Sequence, residues 1–129
     1  MGTERGTILV VENEQNNRAL LEKILTLAGY RCISSTNGLE ALQVLERERV
    51  DLILTDLSMP VMDGYRATRL IRQIPGYEHL PIVAVTAHAM SGDREQALHS
   101  GCNDYLAKPF RPRELLEVVG RFLGTRTTP

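Results

Sequence analysis

The chain predicts a doubly wound α/β domain. Five short aliphatic or β-branched runs alternate with five segments of helical period, and capping residues, glycines or prolines punctuate the boundaries. The first strand is Ile8 to Val11, preceded by a polar leader, residues 1–6, expected to be mobile. Ala19, Leu20, Ile24 and Leu27 then share a helical face, and Gly29 stops that helix. Cys32 to Ser34 form the second strand. Asn37 suits the N-cap of a second helix that groups Leu39, Leu42 and Leu45. Leu52 to Leu54 form the third strand, with Asp56 at its end. A third helix carries Ala67, Leu70, Ile71 and Ile74 and is ended by Pro75 and Gly76. The fourth strand is Ile82 to Val85. A fourth helix runs from about Ser91 to Ser100 and stops at Gly101, and Tyr105 to Ala107 form the last strand. Pro112 opens a fifth helix with Leu115, Val118, Val119 and Phe122 on one side. All five stripes are expected to face inward.

Alternation of this kind specifies a parallel five-stranded sheet covered on both faces by right-handed crossovers. Its common strand order is 2-1-3-4-5, which sets the ends of strands 1 and 3 side by side where ligands bind. Glu12, Asn13 and Asp56 therefore share one crevice, and Thr86 and Lys108 reach the same edge from strands 4 and 5. Strands 2 and 5 lie at opposite edges, so Cys32 and Cys102 are expected to remain unbridged thiols.

The chain has 129 residues, enough for one domain that buries roughly two-thirds of its unfolded surface without metal or disulfide support. Residues 7–124 are assigned to it, and 125–129 to a second mobile tail. A formal charge of −1, with acids and bases interspersed, provides no field to gather DNA, RNA or anionic lipid. Direct nucleic-acid binding and membrane insertion are therefore not expected. The polar N-terminus has no apolar stretch behind it, which argues for a cytoplasmic protein.

The crevice contains carboxylates that suit a hard cation, one of them also able to act as a nucleophile, together with a hydroxyl and an ammonium. These are the parts of metal-assisted phosphoryl transfer. Mg²⁺ prefers one or two carboxylates plus water and phosphate oxygens, and aspartate can form an acyl phosphate.

Four segments in order, Val10-Val11-Glu12-Asn13-Glu14, Asp56-Leu57-Ser58-Met59-Pro60-Val61-Met62-Asp63-Gly64, Val85-Thr86-Ala87 and Tyr105-Leu106-Ala107-Lys108-Pro109-Phe110, resemble the receiver domain of bacterial two-component response regulators. The likeness runs from Ile8 to Phe122 and is greatest to receivers of hybrid histidine kinases and their stand-alone relatives. It implies a CheY-like, flavodoxin-like (βα)5 fold in which Asp56 accepts a phosphoryl group from a histidine kinase or a histidine phosphotransfer protein. It also implies Mg²⁺ held by Asp56, Glu12, Asn13 and the backbone carbonyl of Ser58, with Lys108 on the phosphoryl oxygens. Thr86 and Tyr105 are implied as the switch pair and Ser58 and His88 as residues that tune phosphoryl lifetime. Lys108-Pro109 resembles the family's cis peptide. The responding surface comprises the fourth helix, fifth strand and fifth helix (α4-β5-α5), which would dock a downstream protein or a second copy. No turnover is expected beyond slow self-dephosphorylation.

Asn13 departs from the family pattern, which has Asp there. The amide keeps a ligating oxygen but loses a charge whose interaction with a unit charge at about 4 Å is worth roughly 4 kcal/mol gross at an effective dielectric of about 20. A weaker metal site is expected. A receiver that works without phosphorylation is the alternative this departure permits. An Asp-nucleophile phosphohydrolase is a further alternative, disfavoured because Ser58 stands where that chemistry wants a second acid. Flavin binding is disfavoured by Glu12 and Glu14, which would repel a phosphate.

Overall fold

In a computed structural model of the chain, residues 6–56, 64–86, 95 and 98–123 are described. Five parallel strands form one sheet: β1 Thr7–Val11, β2 Arg31–Ser35, β3 Leu52–Thr55, β4 Ile82–Thr86 and β5 Asp104–Ala107. Their order is β2-β1-β3-β4-β5, as the alternating pattern predicts. Three helices, α1 Gln15–Leu27, α2 Gly38–Arg47 and α3 Gly64–Arg72, and a C-terminal helix, Pro112–Leu123, flank it. Most of the expected fourth helix and both expected tails, except Gly6, lie outside the described residues.

Strand periodicity splits the core into two layers. Ile8, Val10, Leu52, Leu54, Val83 and Val85 point to the side of α1 and the C-terminal helix, where Leu21, Leu25, Leu115, Val118 and Val119 meet them. The alternate residues Leu9, Val11, Ile53, Ile82 and Ala84 pack with Ala41, Val44 and Leu45 of α2 and Ile71 of α3. Both faces of β1, β3 and β4 are thus apolar, which is why those strands read as continuous hydrophobic runs.

The starts of α1, α2 and the C-terminal helix each have a side-chain partner for a free N–H group. Asn37 accepts from the Glu40 N–H at 2.9 Å, while Glu40 reaches back to the Thr36 N–H at 2.7 Å. Hydrogen bonds from the Thr36 N–H and hydroxyl, first among several influences, hold the Glu40 carboxyl below its ordinary range. Asn37→Ala is expected to cost about 1 kcal/mol, read as a lower urea midpoint at unchanged slope. At the C-terminal helix Pro112 takes the first helical position and Glu114 accepts from the Arg111 N–H at 2.7 Å.

The helical faces differ from the expected ones in two places. In α1 the sheet takes Leu21 and Leu25, with Ile24 partly buried, whereas Leu20 and Leu27 are 52% and 79% exposed. Both sets satisfy the i, i+3, i+4 spacing, so periodicity alone does not choose between them. At the helix start Glu14 caps the Asn17 N–H and Arg18 reaches back to the Glu12 carbonyl. In α2 the inner residues are Ala41, Val44 and Leu45, and Leu39 is exposed. α3 stops at Arg72, two residues before Ile74, and closes with bonds from the Gln73 and Ile74 N–H groups to the Leu70 and Ile71 carbonyls.

Cys32 in β2 and Cys102 just ahead of β5 are free thiols at opposite edges. Burial, with a smaller contribution from Glu22, pushes the Cys32 thiol up to about 11; burial also raises that of Cys102. Neither provides much reactive thiolate at neutral pH. Among the described residues no helix is long and apolar enough to cross a membrane.

Candidate functional site

The sheet register builds the site. Val11 of β1 is paired with Thr55 of β3, so the next residues, Glu12 and Asp56, emerge together at the C-terminal edge. The Asp56 N–H donates to the Val11 carbonyl at 3.0 Å, and the Glu12 N–H donates to the Ser35 carbonyl of β2 at 3.0 Å. Thr86 is paired with Ala107, so Lys108 leaves β5 at the same edge. The Lys108-Pro109 peptide is cis.

Lys108 bridges the two carboxylates. Its Nζ lies 3.0 Å from Glu12 Oε1 and 3.6 Å from Asp56 Oδ2. Glu12 is 2% exposed, and a carboxylate removed from water to that degree is tolerated only with charged or hydrogen-bonded partners. It has both: Oε1 accepts from Lys108, and Oε2 accepts from the Glu14 N–H at 3.1 Å. Asp56 is the more open of the two, 13% exposed against 2% for Glu12. Glu12 is therefore the buried anchor, and Asp56 is the carboxylate an incoming group can reach.

Of the residues singled out from the sequence, Glu12, Asp56 and Lys108 meet. Asn13 follows Glu12 but is exposed. Thr86 ends β4 at the same edge, while its side chain, like all of Ser58 and His88, lies outside what is described. Tyr105 is partly buried against the α2 and α3 layer, and its N–H donates to Asp104 Oδ1 at 2.7 Å. Sequence reasoning missed Arg18, whose Nη1 donates to the Glu12 carbonyl oxygen at 2.9 Å. A helical arginine that reaches back to a strand end leaves no periodic signal. The Glu14 carboxylate caps α1.

Two carboxylates, those of Glu12 and Asp56, converge on Lys108, and one or two carboxylates beside water and phosphate oxygens are what Mg²⁺ accepts. Among the described residues no group of three His, Cys, Asp or Glu side chains is placed to hold a metal ion.

Comparison with known proteins agrees with this geometry. Residues 8–120 match the response regulator receiver domain, and the chain belongs to that family. It is 42% identical over 123 residues to hybrid signal transduction histidine kinase G of Dictyostelium discoideum, covering 93% of this chain but only 4% of that protein. It is 35% identical to the polar-differentiation response regulator DivK of Brucella anthropi, covering 92% of this chain and 96% of DivK. Among solved structures, the receiver domain of sensor histidine kinase PA1611 from Pseudomonas aeruginosa superposes with a TM-score of 0.87 at 44% identity, over 93% of this chain and 98% of that one. That crystal holds a magnesium ion in its active-site cleft. Receiver domains are phosphoacceptor modules of two-component signalling, paired with histidine kinases, and are not conventional enzymes.

Proposed function

We propose that this domain is a phosphorylatable switch in which Asp56 takes a phosphoryl group from a phosphohistidine donor. The observation that carries the reading is the convergence of Glu12, Asp56 and Lys108 at the ends of β1, β3 and β5. An Asp56 carboxylate oxygen attacks phosphorus, the P–N bond to the donor imidazole breaks, and the imidazole keeps the electron pair. Lys108 then exchanges part of its contact with Glu12 and Asp56 for the phosphoryl oxygens, a charge-assisted bond of the stronger kind. Glu12 holds the lysine in range beforehand, so little reorganisation is needed when charge develops.

Glu12, Asp56, the Asn13 side-chain oxygen and the Ser58 carbonyl would hold Mg²⁺, which when bound neutralises the charge of the transferring group. Thr86 offers its hydroxyl to the phosphoryl group, and Tyr105 moves in response. Phosphorylation so favours one of two packings of the surface around β5 and the C-terminal helix. Ser58 and His88 adjust how long the phosphoryl group lasts. The output is the docking of a partner protein or of a second copy on that surface, in a cytoplasmic setting.

The donor has a surface to meet. Two adjoining hollows share Leu20: one of about 470 Å³ between α1 and the segment that follows β5, the other of about 440 Å³ between α1 and the C-terminal helix. The first reaches Lys108, Pro109 and Phe110; the second includes Ile24, Leu27 and Leu116. The exposed stripe of α1 is thus the apolar floor of an approach to Asp56, suited to an amphipathic helix of the donor.

The test is phosphoryl transfer from a phosphorylated histidine kinase, compared with a small-molecule phosphodonor. Leu20→Asp is expected to slow transfer from the protein donor by about tenfold, the effect of losing one interface anchor. Labelling by the small donor should be unchanged. Equal slowing with both donors would contradict the docking role, and no labelling of the wild type by either donor would contradict the switch.

A further inference from the structure

Glu12 holds the lysine on which the phosphoryl-transfer reading depends, and it is itself held at both backbone and side chain. Its N–H donates to the Ser35 carbonyl at 3.0 Å, its Oε1 accepts from Lys108, its Oε2 accepts from the Glu14 N–H at 3.1 Å, and its carbonyl accepts from Arg18 Nη1 at 2.9 Å. The last two donors come from the start of α1. Glu14 is the N-cap of that helix, and the Arg18 N–H donates to the Glu14 carbonyl at 2.9 Å, so both belong to one hydrogen-bonded turn. That turn grips Glu12 from two sides.

The oxygen that Arg18 binds sits where β1 has ended and the chain turns toward α1. It belongs to the peptide unit that joins Glu12 to Asn13, and because such a unit is planar, a donor on its oxygen fixes the orientation of the whole unit. Glu12 is only 2% exposed, and a carbonyl there that loses its donor must turn to find another partner. Rotation of that peptide moves Asn13 and the Glu14 N–H. The hold on the Glu12 carboxylate, and with it the placement of Lys108, then loosens.

We propose that Arg18 is a positioning residue for phosphoryl transfer: by clamping the Glu12 carbonyl it keeps the Glu12 carboxylate, and through it Lys108, set for the phosphoryl oxygens at Asp56. The inference rests on the reading of Asp56 as the acceptor. It gives α1 two separate tasks. The outward stripe that begins at Leu20 meets the protein donor, whereas Arg18, two residues earlier, serves the chemistry whatever the donor is. The fold does not hang on this bond, because the Glu12 and Asp56 N–H groups keep their partners on Ser35 and Val11 without it. Arg18 also bears on Glu40, where the Thr36 hydrogen bonds are the larger influences. Glu40→Gln, which keeps an acceptor for Thr36, serves as the control for that contact.

Phosphorylation of the intact chain in the presence of Mg²⁺, by a phosphorylated histidine kinase and separately by acetyl phosphate, tests this. Arg18→Met, which keeps the stem and loses the donor, is expected to slow labelling by about three- to tenfold with both donors, within what a small misplacement of a reacting group produces. For the kinase the loss should lie in the rate constant at saturation, with the half-saturating concentration unchanged. Without any donor, the Glu14 amide resonance of Arg18→Met should shift while those of the sheet stay in place. Arg18→Lys, which keeps a cationic donor on a shorter stem, should recover part of the loss, and Glu40→Gln should react like the wild type. Wild-type rates in Arg18→Met, slowing confined to the kinase, no recovery in Arg18→Lys, or equal slowing by Glu40→Gln would each overturn the proposal and leave the acceptor reading standing. A wild type labelled by neither donor overturns both.

Discussion

Arg72→Ala is expected to destabilise the domain by about 2–4 kcal/mol, a large part of the roughly 5–15 kcal/mol by which domains of this size are stable. The guanidinium donates five hydrogen bonds: Nε and Nη2 to the Gly101 carbonyl at 3.1 and 2.8 Å, Nη1 to the Tyr77 and Leu80 carbonyls at 3.1 and 2.6 Å, and Nη2 to Asn103 Oδ1 at 2.6 Å. Asn103 Oδ1 also accepts from the Ile82 N–H at 2.9 Å, where β4 begins. One side chain of α3 thus ties the α3–β4 connection to the turn ahead of β5. Burial lowers the Arg72 pKa from its usual value, and its bonds go to neutral acceptors. Truncation leaves three carbonyls short of a donor and opens space beside Gly101, where a Cβ would sit 3.2 Å from Arg72 Cγ. Gly101 itself is fixed by a φ of +112°, which L side chains rarely adopt. The expected result is a lower urea midpoint at unchanged slope, with Arg72→Lys intermediate because an ammonium lacks the planar fork. A midpoint within error of the wild type would show that water replaces these bonds at no cost.

The strands and their order were legible because β1, β3 and β4 are buried on both faces and so read as unbroken apolar runs. Leu52-Ile53-Leu54 is the clearest case, with all three residues essentially inaccessible. The two strand ends that carry Glu12 and Asp56 followed from that order, and Lys108 from the end of β5. Helix orientation was less legible. α1 has two apolar stripes, Leu20-Ile24-Leu27 and Leu21-Leu25, and which one faces the sheet is a matter of tertiary packing that helical spacing does not encode. The outward stripe, misassigned to the core from periodicity, floors the groove beside Lys108. Arg18 and Arg72 escaped notice for a shared reason. Both act through backbone carbonyls far away in sequence or across a loop, and such bonds depend on tertiary position rather than on local pattern.

Asp56→Asn carries the largest functional effect, complete loss of the phosphoryl adduct. An amide oxygen is too weak a nucleophile to replace the carboxylate, and Glu12, the other carboxylate within 4 Å of Lys108 among the described residues, is not a substitute. It is 2% exposed, with one oxygen on Lys108 and the other on the Glu14 N–H. The loss should therefore be total rather than graded, and Asp56→Asn should fold like the wild type because its N–H bond to the Val11 carbonyl is unaffected. Intact-mass measurement after incubation with a phosphorylated histidine kinase and Mg²⁺ is the direct test. The expected result is the mass of one added phosphoryl group on the wild type and none on Asp56→Asn. Equal uptake by both proteins, or no uptake by the wild type from any phosphohistidine donor, would contradict the assignment of Asp56 as the acceptor.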